Sequence, residues 1–172
     1  MHAIDFTTAL ACLLRDGRRR NLFRSSAAST ADELNVRAED RAAFLMLSPA
    51  ELDAQADLLL RKRLEHVKRL APELCARLTG HLWPCFQEYA RNLWPQDAIR
   101  DALHFCEHVL LNDAQLVLRT ELNRLRFLAS SAQMRVYLVR DFRVGNRRRN
   151  GIQILRRGGK GSIREMWLYL AV

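Results

Sequence analysis

Residues 134–172 read MRVYLVRDFRVGNRRRNGIQILRRGGKGSIREMWLYLAV. In Met134–Val144 the side chains of Val136, Leu138 and Phe142 alternate with those of Arg135, Tyr137 and Val139. A period of two is the mark of a strand. Ile152–Arg156 forms a second short run, and Glu165–Val172 a third, with Trp167 and Tyr169. The glycine-bearing segments Gly145–Gly151 and Arg157–Ser162 separate the runs as turns. The expectation is a three-stranded antiparallel meander over 133–172.

Upstream the chain changes character. All four prolines (49, 72, 84, 95) precede residue 96, whereas five of the seven glycines follow residue 144. Helical periodicity predicts helices over about 4–15, 39–47, 84–93, 96–111 and 113–129. Ser48-Pro49-Ala50-Glu51 has the composition of a helix start, with Ser48 as cap, Pro49 at the first turn and Glu51 closing the box. The helix that follows keeps Leu52, Ala56, Leu59, Leu60, Val67, Leu70, Leu74 and Leu78 in one apolar phase. Pro72 kinks or restarts it, and Gly80 stops it. Arg18-Arg19-Arg20 is expected to be solvated. The fold class is therefore α+β: a helical body over 1–130, then a small basic β-meander.

The composition, 49% hydrophobic and 27% charged, suits a globular chain with a core rather than a disordered one. The net charge of +9 is concentrated. Residues 1–132 hold 18 basic and 17 acidic side chains, whereas 133–172 hold 10 basic and 2 acidic. Such a patch calls for an anionic partner, either an acidic peptide or nucleic acid. The apolar run Ala9–Leu14 is too short for a signal sequence or a membrane span, and the four cysteines form no CxxC pair. A cytoplasmic chain with reduced thiols is expected.

Catalytic signatures are sparse. Asp97, Asp101, His104 and His108 line one face of a helix. Consecutive turns of one straight helix seldom give more than two ligands to an ion, so a polar face is the expectation and no metal is assigned. Cys85 follows Pro84 near a helix start, with His81 close by, but no oxyanion motif or third partner accompanies it. Gly158-Gly159-Lys160-Gly161-Ser162 lacks the first glycine of a phosphate loop. Trp83, Phe86, Tyr89 and Trp94 are expected in a core. Helices ahead of a hairpin also permit a winged-helix reading, although the helix over 113–129 mixes Arg119, Arg124 and Arg126 with Asp113 and Glu121.

The stretch Leu64–Pro95, LEHVKRLAPELCARLTGHLWPCFQEYARNLWP, resembles the small partner proteins of multinuclear non-heme iron-dependent oxidative enzymes. ADELNVRAEDRAAFLML (31–47) and DALHFCEHVL (101–110) fit the same pattern. The resemblance is nearest to the partner subunits of methanobactin and 3-thiaglutamate (pearlin) biosynthesis. It implies a non-catalytic subunit with no cofactor of its own. Such a subunit binds the leader of a ribosomally made precursor peptide, as a strand added to its sheet in the manner of a RiPP recognition element. It presents the peptide's cysteine to a TIM-barrel enzyme that carries the iron. Residues 31–47 also resemble helical leader segments of other precursor peptides and the small subunit of some extradiol dioxygenases. The residues expected to contact peptide or partner are Arg135, Tyr137, Val139, Arg143, Arg147, Arg148 and Arg149. A membrane is not expected as a partner, and nucleic acid is the alternative.

Overall fold

The computed structural model describes residues 2–91, 93–112, 119–144, 147–159 and 162–170, with backbone alone at 141–144 and 147–149. Among the described residues the helices are α1 (Phe6–Arg15), α2 (Gly17–Ser25), α3 (Ala27–Glu33), α4 (Ala38–Leu45), α5 (Pro49–Leu70), α6 (Pro72–Arg77), α7 (Leu82–Ala90), α8 (Ala98–Asn112) and α9 (Arg119–Leu128). The strands β1 (Met134–Val144), β2 (Arg147–Arg157) and β3 (Ile163–Tyr169) form one antiparallel sheet in the order β1-β2-β3. The fold is α+β, with the sheet at the C-terminal end of a helix-rich chain. No helix among the described residues is long and apolar enough to cross a membrane.

The chain divides into two compact units, and their boundary does not follow the change from helix to sheet near residue 130. One unit comprises 1–66 and 80–95. The other comprises 67–79 and 96–172, so α6, α8 and α9 cluster with the sheet.

In the first unit, caps dictate the helix breaks. Asp5 takes the backbone N–H of Thr8 at 2.8 Å and starts α1. Asp16 ends α1 and then accepts from the N–H groups of Arg18 and Arg19, starting α2. Ser26 repeats the device between α2 and α3. The Arg18-Arg19-Arg20 run is helical, and Arg20 is largely enclosed rather than solvated as expected. It donates to the carbonyls of Leu13 and Leu14 at 2.9 and 3.0 Å and pairs with Asp53 at 3.2 Å. These contacts satisfy the last carbonyls of α1. The core of this unit gathers Ala9, Leu13, Phe23, Ala31, Leu34, Val36, Phe44 and Leu52, with Phe23 edge-on to Phe44 at 5.2 Å.

In the second unit the predicted Pro72 restart is realised: α5 ends at Leu70 and α6 begins at Pro72. α9 packs against α8 and lies on β1 and β2. Buried here are Val67, Leu74, Phe105, Val109, Leu122, Leu125, Phe127, Val139 and Leu155. The predicted start of the last helix, Asn112-Asp113, runs into 113–118, which lies outside the described residues. β2 is longer than its apolar run suggested. It begins at Arg147, because the Arg147–Arg149 segment pairs with β1 rather than forming a turn.

Candidate functional site

The register assigns the paired side chains of the sheet to two faces. Met134, Val136 and Leu138 of β1 pair with Arg156, Ile154 and Ile152 of β2. These in turn pair with Arg164, Met166 and Leu168 of β3. Directly paired residues share a face, so this set forms three rows on one side. The other side carries Arg135–Leu155–Glu165, Tyr137–Gln153–Trp167 and Val139–Gly151–Tyr169. Beyond Val139 the ladder shifts: two β1 residues, Arg140 and Asp141, stand against Asn150 alone before Phe142 meets Arg149. This is a bulge that bends the strand.

The second set is the inner face, tied to α9 by polar contacts. Gln153 is fully buried. Its amide nitrogen donates to the Thr120 carbonyl at 3.2 Å and to Glu165 Oε1 at 3.0 Å, and its amide oxygen accepts from Asn123 at 3.1 Å. Glu165 also accepts from Trp167 Nε1 at 3.0 Å and from Arg124 Nη2 at 2.8 Å. Burial pushes the Glu165 carboxyl up, but the bonds from Arg124, Gln153 and Trp167 outweigh it and hold it below the usual carboxylate range. Arg157 sits over the Phe127 ring at 5.3 Å. It donates to the carbonyls of Ala132, Leu128 and Ser130, and so stitches β2 to the C-terminal end of α9.

The first set is the outer face, and it is apolar. Val136, Leu138, Met166 and Leu168 are each 54–56% exposed. Ile152 and Ile154 lie half-buried between them. Exposed cations border this patch: Arg156 directly opposite Arg164 at one end, and Arg140, in the bulge after Val139, beyond the other.

This placement sorts the residues singled out from sequence. Arg135 is exposed at the margin of the inner face. Tyr137 and Val139 are not offered to a partner by the open face. Tyr137 lies in the Gln153 row that α9 covers, and Val139 is 2% exposed. Val139 is buried because it shares the inner face with Leu155 and Gln153, whereas Val136 and Leu138, one residue out of phase, face outward. The backbones of Arg143, Arg147, Arg148 and Arg149 belong to the β1–β2 ladder. Their side chains lie outside the described residues. The outer-face residues were missed because both alternating sets contain apolar side chains, so periodicity alone does not say which set a helix covers.

Residues 47–111 match the SCO6045-like, C-terminal domain family.

The matched SCO6045-like stretch runs through α5–α8 and stops short of the sheet. The family's name states no activity. Neither the curated proteins nor the solved structures contain a match to the chain.

Within the SCO6045-like stretch the tryptophans are held by arginines of α5. Arg61 lies 4.4 Å from the Trp83 ring centre, and Arg63 lies 4.8 Å from that of Trp94. Arg63 also donates to the Leu93 carbonyl at 3.0 Å. Phe86 and Tyr89 are buried, as expected of a core. Burial, then the Glu88 charge, pushes the Cys85 thiol up, the reverse of what a nucleophile needs. Asp97 accepts from the Arg100 N–H at 2.8 Å and caps the start of α8, while Asp101 is buried. Among the described residues no three His, Cys, Asp or Glu side chains are grouped to hold a metal. His108 stands 3.4 Å from the Asn112 amide.

Proposed function

We propose that this chain is a non-catalytic recognition subunit. In this reading its C-terminal sheet receives the leader of a ribosomally made precursor peptide, and the peptide's cysteine is presented to an iron-dependent oxidative enzyme. The observation that supports binding is the sheet itself. It has three strands, with β1 and β3 as edges, and four described arginines (135, 140, 156 and 164) are exposed on it. An edge strand takes an extended peptide through main-chain bonds, and the arginines favour an acidic one. Arg135, on edge strand β1, is the described side chain best placed to meet it. The oxidative partner is supported by the resemblance of 64–95, with 31–47 and 101–110, alone.

The nucleic-acid alternative loses support from α9. There Arg124 is paired with Glu165 at 2.8 Å and Arg126 with Glu107 at 3.0 Å, so carboxylates offset the charge of both, while Arg119 is exposed at the start of the helix.

The test is purification of the tagged full chain from its native host, with metal analysis and mass spectrometry of what accompanies it. The expected result is an iron-loaded enzyme, together with a short cysteine-bearing peptide that salt weakens. Recovery of nucleic acid alone overturns the reading. So does stoichiometric iron or zinc on the isolated chain that disappears in a His104→Ala, His108→Ala protein.

A further inference from the structure

Antiparallel sheets with one face on a core usually present polar side chains on the other. Here the outer face presents Val136, Leu138, Ile152, Ile154, Met166 and Leu168 in registered rows across three strands. The fold itself does not require this, because the inner face already packs on α9. Contiguous apolar surface rimmed by charge marks an interaction site.

The charges at the ends of the patch say what kind. Arg156 and Arg164 oppose each other directly on adjacent strands, a like-charge pair that is unfavourable unless an anion is shared between them. No ion pair joins either to a described residue. Glu165, the one acidic side chain described after residue 132, lies on the inner face and is bound by Arg124. Among the described residues no carboxylate meets this pair, so a partner's carboxylate placed there would relieve it. Arg140 lies beyond the opposite end.

We infer that the outer face of the sheet seats a single amphipathic helix of a partner protein, with apolar side chains along its middle and carboxylates at its ends. The dimensions suit one helix. Three strands at about 4.8 Å spacing make a strip about 10 Å between outer backbones, the width of one helix. From the Met134 row to Arg140 is six residues, about 20 Å of strand, which about thirteen helical residues span. A second copy of this chain fits poorly. The strip is a few hundred Å², short of the roughly 800 Å² per partner of a stable interface, and two-fold pairing would set Arg156 and Arg164 against the other copy's Arg140. This site uses the side chains of the outer face rather than the main chain of the strand edge invoked for peptide binding, and Arg140, Arg156 and Arg164 border both.

The probe is a fluorescein-labelled peptide of about eighteen residues, a model amphipathic helix with a leucine stripe and glutamates at both ends, titrated against the full chain by anisotropy. A companion peptide carries lysines at the ends. Saturable binding of the glutamate peptide is expected, weakened by about tenfold or more in Leu138→Glu and in Met166→Glu, the effect of one lost leucine-sized contact. Both positions are exposed, and unchanged melting curves show that the variants fold. The double variant Arg156→Glu, Arg164→Glu should reverse the preference toward the lysine peptide, which a merely structural role would not do. Equal binding of the two peptides overturns the proposal, as does indifference to Leu138→Glu. Binding to phosphatidylglycerol vesicles but not to the peptide, abolished by Leu138→Glu, would assign the face to a bilayer instead. A concentration-dependent dimer lost in the same variant would assign it to a second copy. Edge binding of a precursor peptide is read separately, since Leu138→Glu leaves the main-chain edge intact.

Discussion

The carboxylate of Glu121, on α9, accepts the backbone N–H of Leu74 at 2.9 Å and that of Glu73 at 3.0 Å, across more than forty residues of sequence. α6 has no side-chain cap of its own: Ala71 stands at its N-cap, and Pro72 brings no N–H. Glu121 therefore supplies from another helix what a serine or aspartate normally supplies from the preceding residue. The carboxyl is buried, 2% exposed. Burial pushes its pKa up, and the two N–H bonds work against that.

Glu121→Ala should be costly, because one buried and one partly buried donor at the head of α6 are left unmade, at about 1–3 kcal/mol for the buried one. Urea unfolding measures it. Glu121→Gln should separate the charge from the cap. With the folded pKa above the unfolded value, the native state holds this proton as pH rises past about 4.5. Stability attributable to Glu121 is therefore full at lower pH and falls as pH rises through the folded pKa. The Gln variant lacks that fall, so its stability relative to the parent should improve with pH across the window. A difference between the two that does not change with pH would contradict this.

Glu165 should behave oppositely. Its folded carboxyl lies below the usual range, so its contribution is present above about 4.5 and is lost as pH falls through the folded value. Glu165→Gln should shrink the acid limb of the stability profile. It should also release Arg124, which chemical-shift perturbation of its Nε would report.

How far these relationships were legible in the sequence depends on their range. The Pro72 restart and the strand alternation follow from residues within one or two turns of each other, and both appear in the structure. α2 was missed because its hydrophobic content is low. Its start rests on Asp16, and its Arg20 turns back onto α1 carbonyls, a contact that no periodicity marks. The cap by Glu121 is not legible, since nothing near it in sequence names Leu74. The faces of the sheet posed the hardest case: Tyr137 and Val139 differ from Val136 and Leu138 only by phase, and only the seat of α9 tells them apart.

Gln153 should prove essential to that phase. It is fully buried and exchanges bonds with Thr120, Asn123 and Glu165. Gln153→Leu keeps the volume but orphans the Asn123 amide and the Thr120 carbonyl. A loss of about 2–4 kcal/mol is expected. Amide exchange should quicken in β2 and α9 ahead of the first unit's helices. A variant as stable as the parent would mean that the polar row does not fix the sheet on the helix.

Arginines in this sheet do two different jobs, and stability measurements should separate them. Arg157 is spent inside the fold, on the carbonyls that α9 and the following loop leave open at Leu128, Ser130 and Ala132. Arg135 is exposed. Arg157→Ala should cost about 2–3 kcal/mol, the range for charged hydrogen bonds to backbone. Arg157→Lys should recover only part of it, since a single ammonium cannot fork across three carbonyls. Arg135→Ala should leave the unfolding midpoint within about 0.5 kcal/mol of the parent. It should instead reduce the salt-sensitive part of peptide affinity, because an exposed cation acts mainly through long-range attraction. If Arg135→Ala destabilises as much as Arg157→Ala, the charge of the sheet belongs to its folding. If it changes binding alone, the charge belongs to a partner.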